Sequence, residues 1–257
     1  MREPQIPVRH GSIASCQRAQ ALFTREQVRS KETLLGKESL VSPKNPVRTK
    51  VHGTTLFADV LLGLSGGSCA GKTTLASALL QRQPSAVLLS FDDYYRDLSH
   101  LSVSDRAKKN YDHPDALDVE LFLEHMDALA SGHSVDVPLY DMATHTRPGG
   151  TFRLESAPLV IVDGILLLSV EECREKLDLK VFVDAPSEVR LKRRLVRDTN
   201  ERGRDELSVR TQFRRSVEPM HEKYVVPSSK YADLRFEYPF EADEAAGEVL
   251  ERTQRFM

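Results

Sequence analysis

Gly66-Gly67-Ser68-Cys69-Ala70-Gly71-Lys72-Thr73 fits the pattern G-x-x-x-x-G-K-[ST]. Residues of these types at this spacing can cradle phosphate. Glycine lets the backbone curl so that successive N–H groups point at phosphate oxygens. The N-terminus of a following helix adds partial positive charge. Lys72 is then placed to reach β- and γ-phosphates, and the Thr73 hydroxyl to ligate Mg²⁺. The candidate triphosphate-binding residues are therefore Gly66, Gly67, Ser68, Cys69, Ala70, Gly71, Lys72 and Thr73, with Thr74 beside them.

A phosphate cradle needs carboxylates around it if a phosphoryl group is to move. Mg²⁺ wants hard oxygen ligands, and an acceptor hydroxyl wants a group to orient it and take its proton. Two acids close apolar runs. Asp92 follows Ala86-Val87-Leu88-Leu89-Ser90, and Asp163 ends Pro158-Leu159-Val160-Ile161-Val162. Asp92 is the candidate general base. Thr73, Asp163 and Asp92 are the candidate metal ligands. The competing reading of each acid is a turn cap at a strand end, which is preferred for Asp93 and Asp184.

The segment from Arg190 to Arg215 is dense in Lys and Arg. Most such runs are solvated helix faces. Here Arg190, Arg194 and Arg197 project from one side of a helix, and Arg202-Gly203-Arg204 follows at a flexible break. A mobile arginine-bearing lid over a triphosphate has this form. The interspersed acids Glu188, Asp198, Glu201, Asp205 and Glu206 argue against nucleic acid as the partner.

These groups must be positioned by a scaffold, and the apolar pattern supplies one. Phe57 to Leu64 reads as a strand leading into the glycine-rich loop, and Thr74 to Leu80 as a helix leaving it. Further strands are expected at 86–90, 158–164 and 179–184. Helices are expected over Leu117 to Ala130, with Leu121, His125 and Leu129 on one face, and over Ser187 to Arg197. The near-continuous apolar run at 158–164 is the mark of a strand buried on both faces. Alternating strands and helices predict a parallel sheet flanked by helices, with ligands at the carboxyl ends of the strands.

The chain has 257 residues, 40 % hydrophobic, with a net charge of −2. That suits one large α/β domain with an appendage. Residues 1–55 carry ten Lys/Arg against four Glu, a net of +6, and little periodic apolar pattern. They read as a basic, flexible extension with a short helix over Gln17 to Val28, and residues 56–257 as the catalytic domain. Arg-richness raises a transit peptide, but Glu3, Glu26, Glu32 and Glu38 argue against one. Cys16, Cys69 and Cys173 show no metal-ligand spacing and favour a reducing compartment. No apolar run approaches the ~20 residues of a membrane helix. A cytoplasmic protein with no membrane partner is the expectation.

Four blocks carry a resemblance. Tyr111-Asp112-His113-Pro114-Asp115-Ala116-Leu117-Asp118, Val137-Pro138-Leu139-Tyr140-Asp141-Met142-Ala143-Thr144-His145-Thr146-Arg147, Arg197-Asp198-Thr199-Asn200-Glu201-Arg202-Gly203-Arg204 and Pro227-Ser228-Ser229-Lys230-Tyr231-Ala232-Asp233 resemble blocks of the uridine (uridine–cytidine) kinases, P-loop kinases of the phosphoribulokinase/uridine kinase superfamily. They stand in that family's order, from about residue 60 to 236. The resemblance implies a P-loop NTPase-type parallel sheet flanked by helices, with an Arg-rich lid. It implies Mg²⁺-dependent phosphorylation, by ATP or GTP, of the 5′-hydroxyl of uridine or cytidine. It also implies that Asp92 activates the hydroxyl, that Tyr95 lines the site, and that Asp112 binds the ribose hydroxyls with Tyr111 beside it. Tyr140 and His145 would contact the base, and Arg194, Arg204 and Gln212 the nucleoside or phosphate. Arg197 and Arg202 would sit near the triphosphate, and a homo-oligomer, a tetramer in the family, is implied.

The chain departs from the family pattern in places. Met142 stands where animal enzymes carry an aromatic, and Asp163 where Glu is usual. Arg235-Phe236-Glu237-Tyr238-Pro239-Phe240 replaces a P-R-G motif, with a terminal helix expected after Glu241. His113 and His125 read as structural, hydrogen-bonded histidines, and Cys69 as an inert filler. Two other readings stay open. One is a kinase of another small hydroxyl acceptor, pantothenate- or phosphoribulokinase-like. The other is a nucleotide-binding regulator, which the presence of Lys72 and Asp92 and the lack of an N-K-x-D motif count against.

Overall fold

The structure is a computed structural model, and it describes residues 58–106 and 108–256. The expected helix over Gln17 to Val28 and the 1–55 extension lie outside the described residues. Among the described residues, seven strands occur in chain order: β1 (Val60–Gly66), β2 (Val87–Ser90), β3 (Val135–Pro138), β4 (Thr151–Leu154), β5 (Leu159–Asp163), β6 (Leu179–Asp184) and β7 (Leu234–Glu237). Five form a parallel sheet in the order β2-β5-β1-β6-β7, and β3 pairs antiparallel with β4.

Period-two alternation divides the core between the two faces of that sheet. Leu61, Leu89, Val160, Val162 and Phe182 pack with α2 (Val119–Ala130). Leu62, Leu64, Ile161 and Val181 pack with Leu75 and Leu79 of α1 (Lys72–Arg82) and with Ala246 and Val249 of the C-terminal helix Ala242–Thr253. Every residue of β1 and β5 is buried, as expected for central parallel strands.

Several boundaries differ from expectation. β1 runs on to Gly66, because Ser65 and Gly66 still pair with Phe182 and Val183. The buried face of α2 is Phe122, Met126 and Leu129, not Leu121 and His125. Aromatic contact sets this rotation: Phe122 stacks on Phe91 at 4.1 Å and meets Tyr94 edge-on at 4.7 Å. The β3–β4 hairpin and β7 were not foreseen. α3 (Ser187–Glu201) runs four residues past its expected end at Arg197. Its buried residues are Arg190, Arg194 and Asp198, while Leu191 and Leu195 are half-buried. A helix that buries charge must pair it, and these pairs build the site.

Beyond α3, α4 (Glu206–Gln212) continues helically to Tyr231 through two wide turns, Phe213–Val217 and His221–Val225. The wide turns have a local cause. The N–H groups of Glu218 and Val226 reach back five residues, to Phe213 and His221. The next residues, Pro219 and Pro227, have no N–H to continue the ladder. The C-terminal helix, expected after Glu241, docks on α1 as α5 (Ala242–Thr253), where Arg82 grips Asp243 with two hydrogen bonds. No helix among the described residues is long and apolar enough to cross a membrane.

Candidate active site

β2 and β5 end at one level, with Asp163 opposite Ser90 and opposite Leu64 of β1, which runs two residues further to Gly66. The glycine-rich loop, Asp92 and Asp163 therefore share the carboxyl edge of the sheet, at the ligand position of open α/β sheets. Two loop positions demand glycine. Gly66 has φ +139°, and an added Cβ would lie 2.0 Å from the Val183 carbonyl oxygen. At Gly67 a Cβ would lie 2.8 Å from Arg190 Cδ and 2.9 Å from His221 Cε1. Helix α1 starts at Lys72 with no side-chain cap from Gly71, so its first N–H groups face the loop for an anion. Lys72 is buried, and its Nζ donates to the carbonyls of Gly66 (3.0 Å) and Gly67 (3.2 Å). Thr73 is half-buried and Thr74 is exposed in the first turn.

The acids differ in setting. Asp92 is half-buried on a single helical turn, Phe91–Tyr94, directly after β2. Asp163 is buried, and burial pushes its carboxyl up to about 6, against the pull of Lys72 and with a further push from Asp92. Its Oδ1 is a buried acceptor without a hydrogen-bond partner among the described residues. Such an oxygen suits a hard cation. No group of three His, Cys, Asp or Glu side chains forms a metal cage among the described residues. Asp184 bonds its neighbour Ala185 N–H at 2.8 Å, the turn cap expected of it.

A cavity of about 1480 Å³ opens beside the loop and is lined by Ser68, Asp92, Tyr95, Asp112, His145 and Arg194, among others. Asp112 accepts from Ser216 Oγ at 2.9 Å, and burial raises its carboxyl while Arg194 opposes the rise. His145 lies flat on Tyr111, with ring centroids 3.7 Å apart. Tyr140 Oη meets its Nδ1 at 3.2 Å and tilts against Tyr95 at 5.2 Å. Burial, with Arg202 and Arg204 nearby, pulls the His145 imidazole down to about 4. It is neutral at neutral pH and can donate through one nitrogen and accept through the other. His113 and His125 are hydrogen-bonded as expected, to Tyr224 Oη (2.7 Å) and Tyr94 Oη (2.6 Å).

The arginines divide into two groups. Arg194 Nη1 donates to Ser68 Oγ at 2.9 Å and Nη2 to Gln212 Oε1 at 3.2 Å. Arg204 also reaches Gln212 Oε1 and donates to Ser208 Oγ at 2.9 Å. Arg197 and Arg202 make no hydrogen bond to the glycine-rich loop among the described residues and pair with Asp198, as Arg194 and Arg204 also do. The loop is instead gripped by Arg193, whose Nη1 donates to the carbonyls of Cys69 (3.2 Å) and Ala70 (3.0 Å). Arg193 was not singled out from the sequence, because nothing in its spacing sets it apart from its basic neighbours. Arg190 is not a cavity residue. It is 2 % exposed and holds Glu218 at 2.7 Å beneath the loop.

Ser216, His221 and Arg147 were also missed. Arg147 donates from Nε to the Tyr95 carbonyl (3.0 Å) and pairs with Asp118 (3.4 Å), which fixes the turn that carries Tyr95. Its place two residues after His145 in the V-P-x-Y-D-x-x-x-H-x-R block was the available signal. Ser216 and His221 had none, since the helix that brings them in takes its direction from its proline-linked wide turns.

The profile described as the Phosphoribulokinase / Uridine kinase family matches residues 61–243. A uridine kinase from Chloroflexus aurantiacus (strain ATCC 29366 / DSM 635 / J-10-fl) is 46 % identical over 179 residues, 69 % of this chain and 86 % of that protein. A uridine kinase from Clostridium perfringens (strain ATCC 13124) is 42 % identical over 177 residues, 68 % of this chain and 85 % of that one. Phosphoribulokinase from Rhodobacter spheroides, a solved structure, shares the fold with a TM-score of 0.51 at 15 % identity, over 71 % of each chain.

Proposed function

We propose that this chain, which belongs to the phosphoribulokinase/uridine kinase family, transfers the γ-phosphoryl group of ATP or GTP to the 5′-hydroxyl of uridine and/or cytidine. One observation carries the reading: a single cavity runs from Ser68 of the phosphate loop past Asp92 to Asp112 and His145. A donor and a small polyhydroxylated acceptor with an aromatic base can meet in it.

Phosphoryl transfer is mostly positioning and charge stabilisation. The loop N–H groups and Lys72 hold the β- and γ-phosphates. The Thr73 hydroxyl and Asp163 would hold Mg²⁺, which would supply charge that neutralises the phosphates. Asp92 accepts the proton of the 5′-hydroxyl as the hydroxyl oxygen bonds to the γ-phosphorus and the bond from that phosphorus to the departing nucleoside diphosphate breaks. Asp112 accepts from the vicinal ribose hydroxyls. Tyr95, Tyr111 and Tyr140 wall the base, and neutral His145 reads its edge. Arg194, Arg204 and Gln212 bridge the acceptor to the loop. Arg197 and Arg202 serve as lid arginines for the charge that develops in flight. Residues 56–257 form the kinase domain, with 1–55 an extension outside the chemistry. Assembly into a homo-oligomer and a cytoplasmic setting follow the same reading.

Competition calorimetry with uridine, cytidine and pantothenate tests the acceptor. Uridine or cytidine should bind and pantothenate should not. Binding of pantothenate alone would replace the nucleoside with another hydroxyl acceptor.

A further inference from the structure

Asp198 is the one member of the Arg-Asp-x-x-Glu-Arg-Gly-Arg block that is fully buried. It does not line the cavity beside the loop, yet four arginines converge on it. Arg197 lies at 2.8 Å, Arg194 at 3.3 Å, Arg204 at 3.6 Å and Arg202 at 3.8 Å. None of the four makes another ion pair among the described residues. They come from both sides of a chain reversal. Arg194 and Arg197 stand on α3, which ends at Glu201. Gly203, with φ +61°, then turns the chain. The Arg204 N–H donates back to the Asp198 carbonyl at 3.1 Å, which returns the Arg204 guanidinium to the same carboxylate. All four arginines line the cavity. Through Arg194 the cluster touches Ser68 of the loop, and through Arg194 and Arg204 it touches Gln212.

We infer that Asp198 is a positioning residue, which gathers Arg194, Arg197, Arg202 and Arg204 into a fixed cluster shaped to receive the oxygens of a polyphosphate. Four cations against one carboxylate leave a surplus of positive charge that a polyphosphate neutralises. Removing the carboxylate has two opposed effects. The local field becomes more positive, which by itself tightens anion binding. Arg197 and Arg202, which have no other hydrogen-bond or ion-pair partner among the described residues, also lose their anchor and are repelled towards solvent, so the four sets of donors no longer converge. Loss of that alignment outweighs the gain in field.

The sign of the effect is the test. In the full chain, Asp198→Asn should bind inorganic tripolyphosphate about tenfold more weakly by calorimetry, because converging charge-assisted donors are lost. It should lower kcat with Mg·ATP and uridine about a hundredfold and leave KM for uridine within about threefold, because the acceptor-side Arg194 and Arg204 keep their hydrogen bonds to Ser68, Gln212 and Ser208. Gly203 provides a second variant set away from the core. It is exposed, with no heavy atom within 4 Å of an added Cβ. Gly203→Ala resists the left-handed turn and should show the same pattern more weakly, and Gly203→Asn, which tolerates it, should keep parental values.

Equal or tighter tripolyphosphate binding by Asp198→Asn would overturn the inference. So would parallel losses of kcat and uridine affinity, which mark a merely structural residue. The kcat arm rests on the proposed function and the tripolyphosphate arm does not. A parent protein that binds tripolyphosphate but phosphorylates no nucleoside counts against the acceptor assignment, and the role of Asp198 is then decided by binding alone.

Discussion

His221 sits under the phosphate loop with its imidazole 6 % exposed. Its Nδ1 is buried without a hydrogen-bond partner among the described residues. Burial, with Arg190 and Lys72 nearby, pulls it down to about 4, and the carboxylates of Glu218 and Asp184 only partly offset them. The ordinary histidine value is about 6.5, so the folded protein holds fewer protons than the unfolded chain between about 4 and 6.5. Stability from this group is complete above about 6.5 and is lost as pH falls towards 4. A shift of about 2.5 units corresponds to about 3 kcal/mol, most of it already gone at pH 4.5. His145 titrates in the same window, so the acid sensitivity of the parent protein alone does not isolate His221. The comparison that does is His221→Gln, which stays neutral at every pH. Urea unfolding of both proteins at pH 7.5 and pH 4.5 gives two free-energy differences. The parent should lose about 2–3 kcal/mol more than His221→Gln over that interval. Equal losses would refute the claim that a buried, neutral imidazole supports the loop.

Other outcomes follow from the same geometry. Asp112→Ala should abolish turnover of ribonucleosides, and 2′-deoxyuridine should already be a poor substrate of the parent enzyme. Equal kcat/KM on uridine and deoxyuridine would contradict the role given to Asp112. Gly67→Ala forces a methyl group against Arg190 and His221 and should cost about 1–3 kcal/mol of stability together with most ATP affinity. Retained ATP binding would show that the loop can shift. A chain lacking residues 1–55 should keep parental turnover, since every site residue named above lies at position 66 or later. Lost activity in that variant would make the extension part of the enzyme.

The elements that carry the phosphate loop and the strand-end acids were legible because their signals are local. A motif of fixed spacing, apolar runs and strand-end carboxylates place Lys72, Asp92 and Asp163 without knowledge of the rest. The acceptor-side residues became visible only through blocks resembling a family, since no periodicity links Asp112, His145 and Gln212. What stayed hidden depends on tertiary context. Arg190, Arg194 and Arg197 were read as one side of a helix in a lid over a triphosphate, yet α3 buries Arg190 and Arg194, where Glu218 and Asp198 are their counter-charges. Phe122 displaced Leu121 from the buried side of α2 because Phe91 offered it a ring to stack on. Ser216 reaches Asp112 only because the helix beyond α4 is widened around its prolines.

The central claim is a phosphoryl transfer to a pyrimidine nucleoside with Asp92 as the base. A coupled ADP-release assay with Mg·ATP and uridine, cytidine, deoxyuridine, adenosine and pantothenate, run on the parent and on Asp92→Asn, tests it most directly. The account predicts turnover of uridine or cytidine by the parent. It predicts a fall in kcat of about 10²–10⁴ in Asp92→Asn, with ATP binding nearly unchanged. No nucleoside turnover in a parent protein that binds ATP, or near-normal turnover by Asp92→Asn, would contradict it.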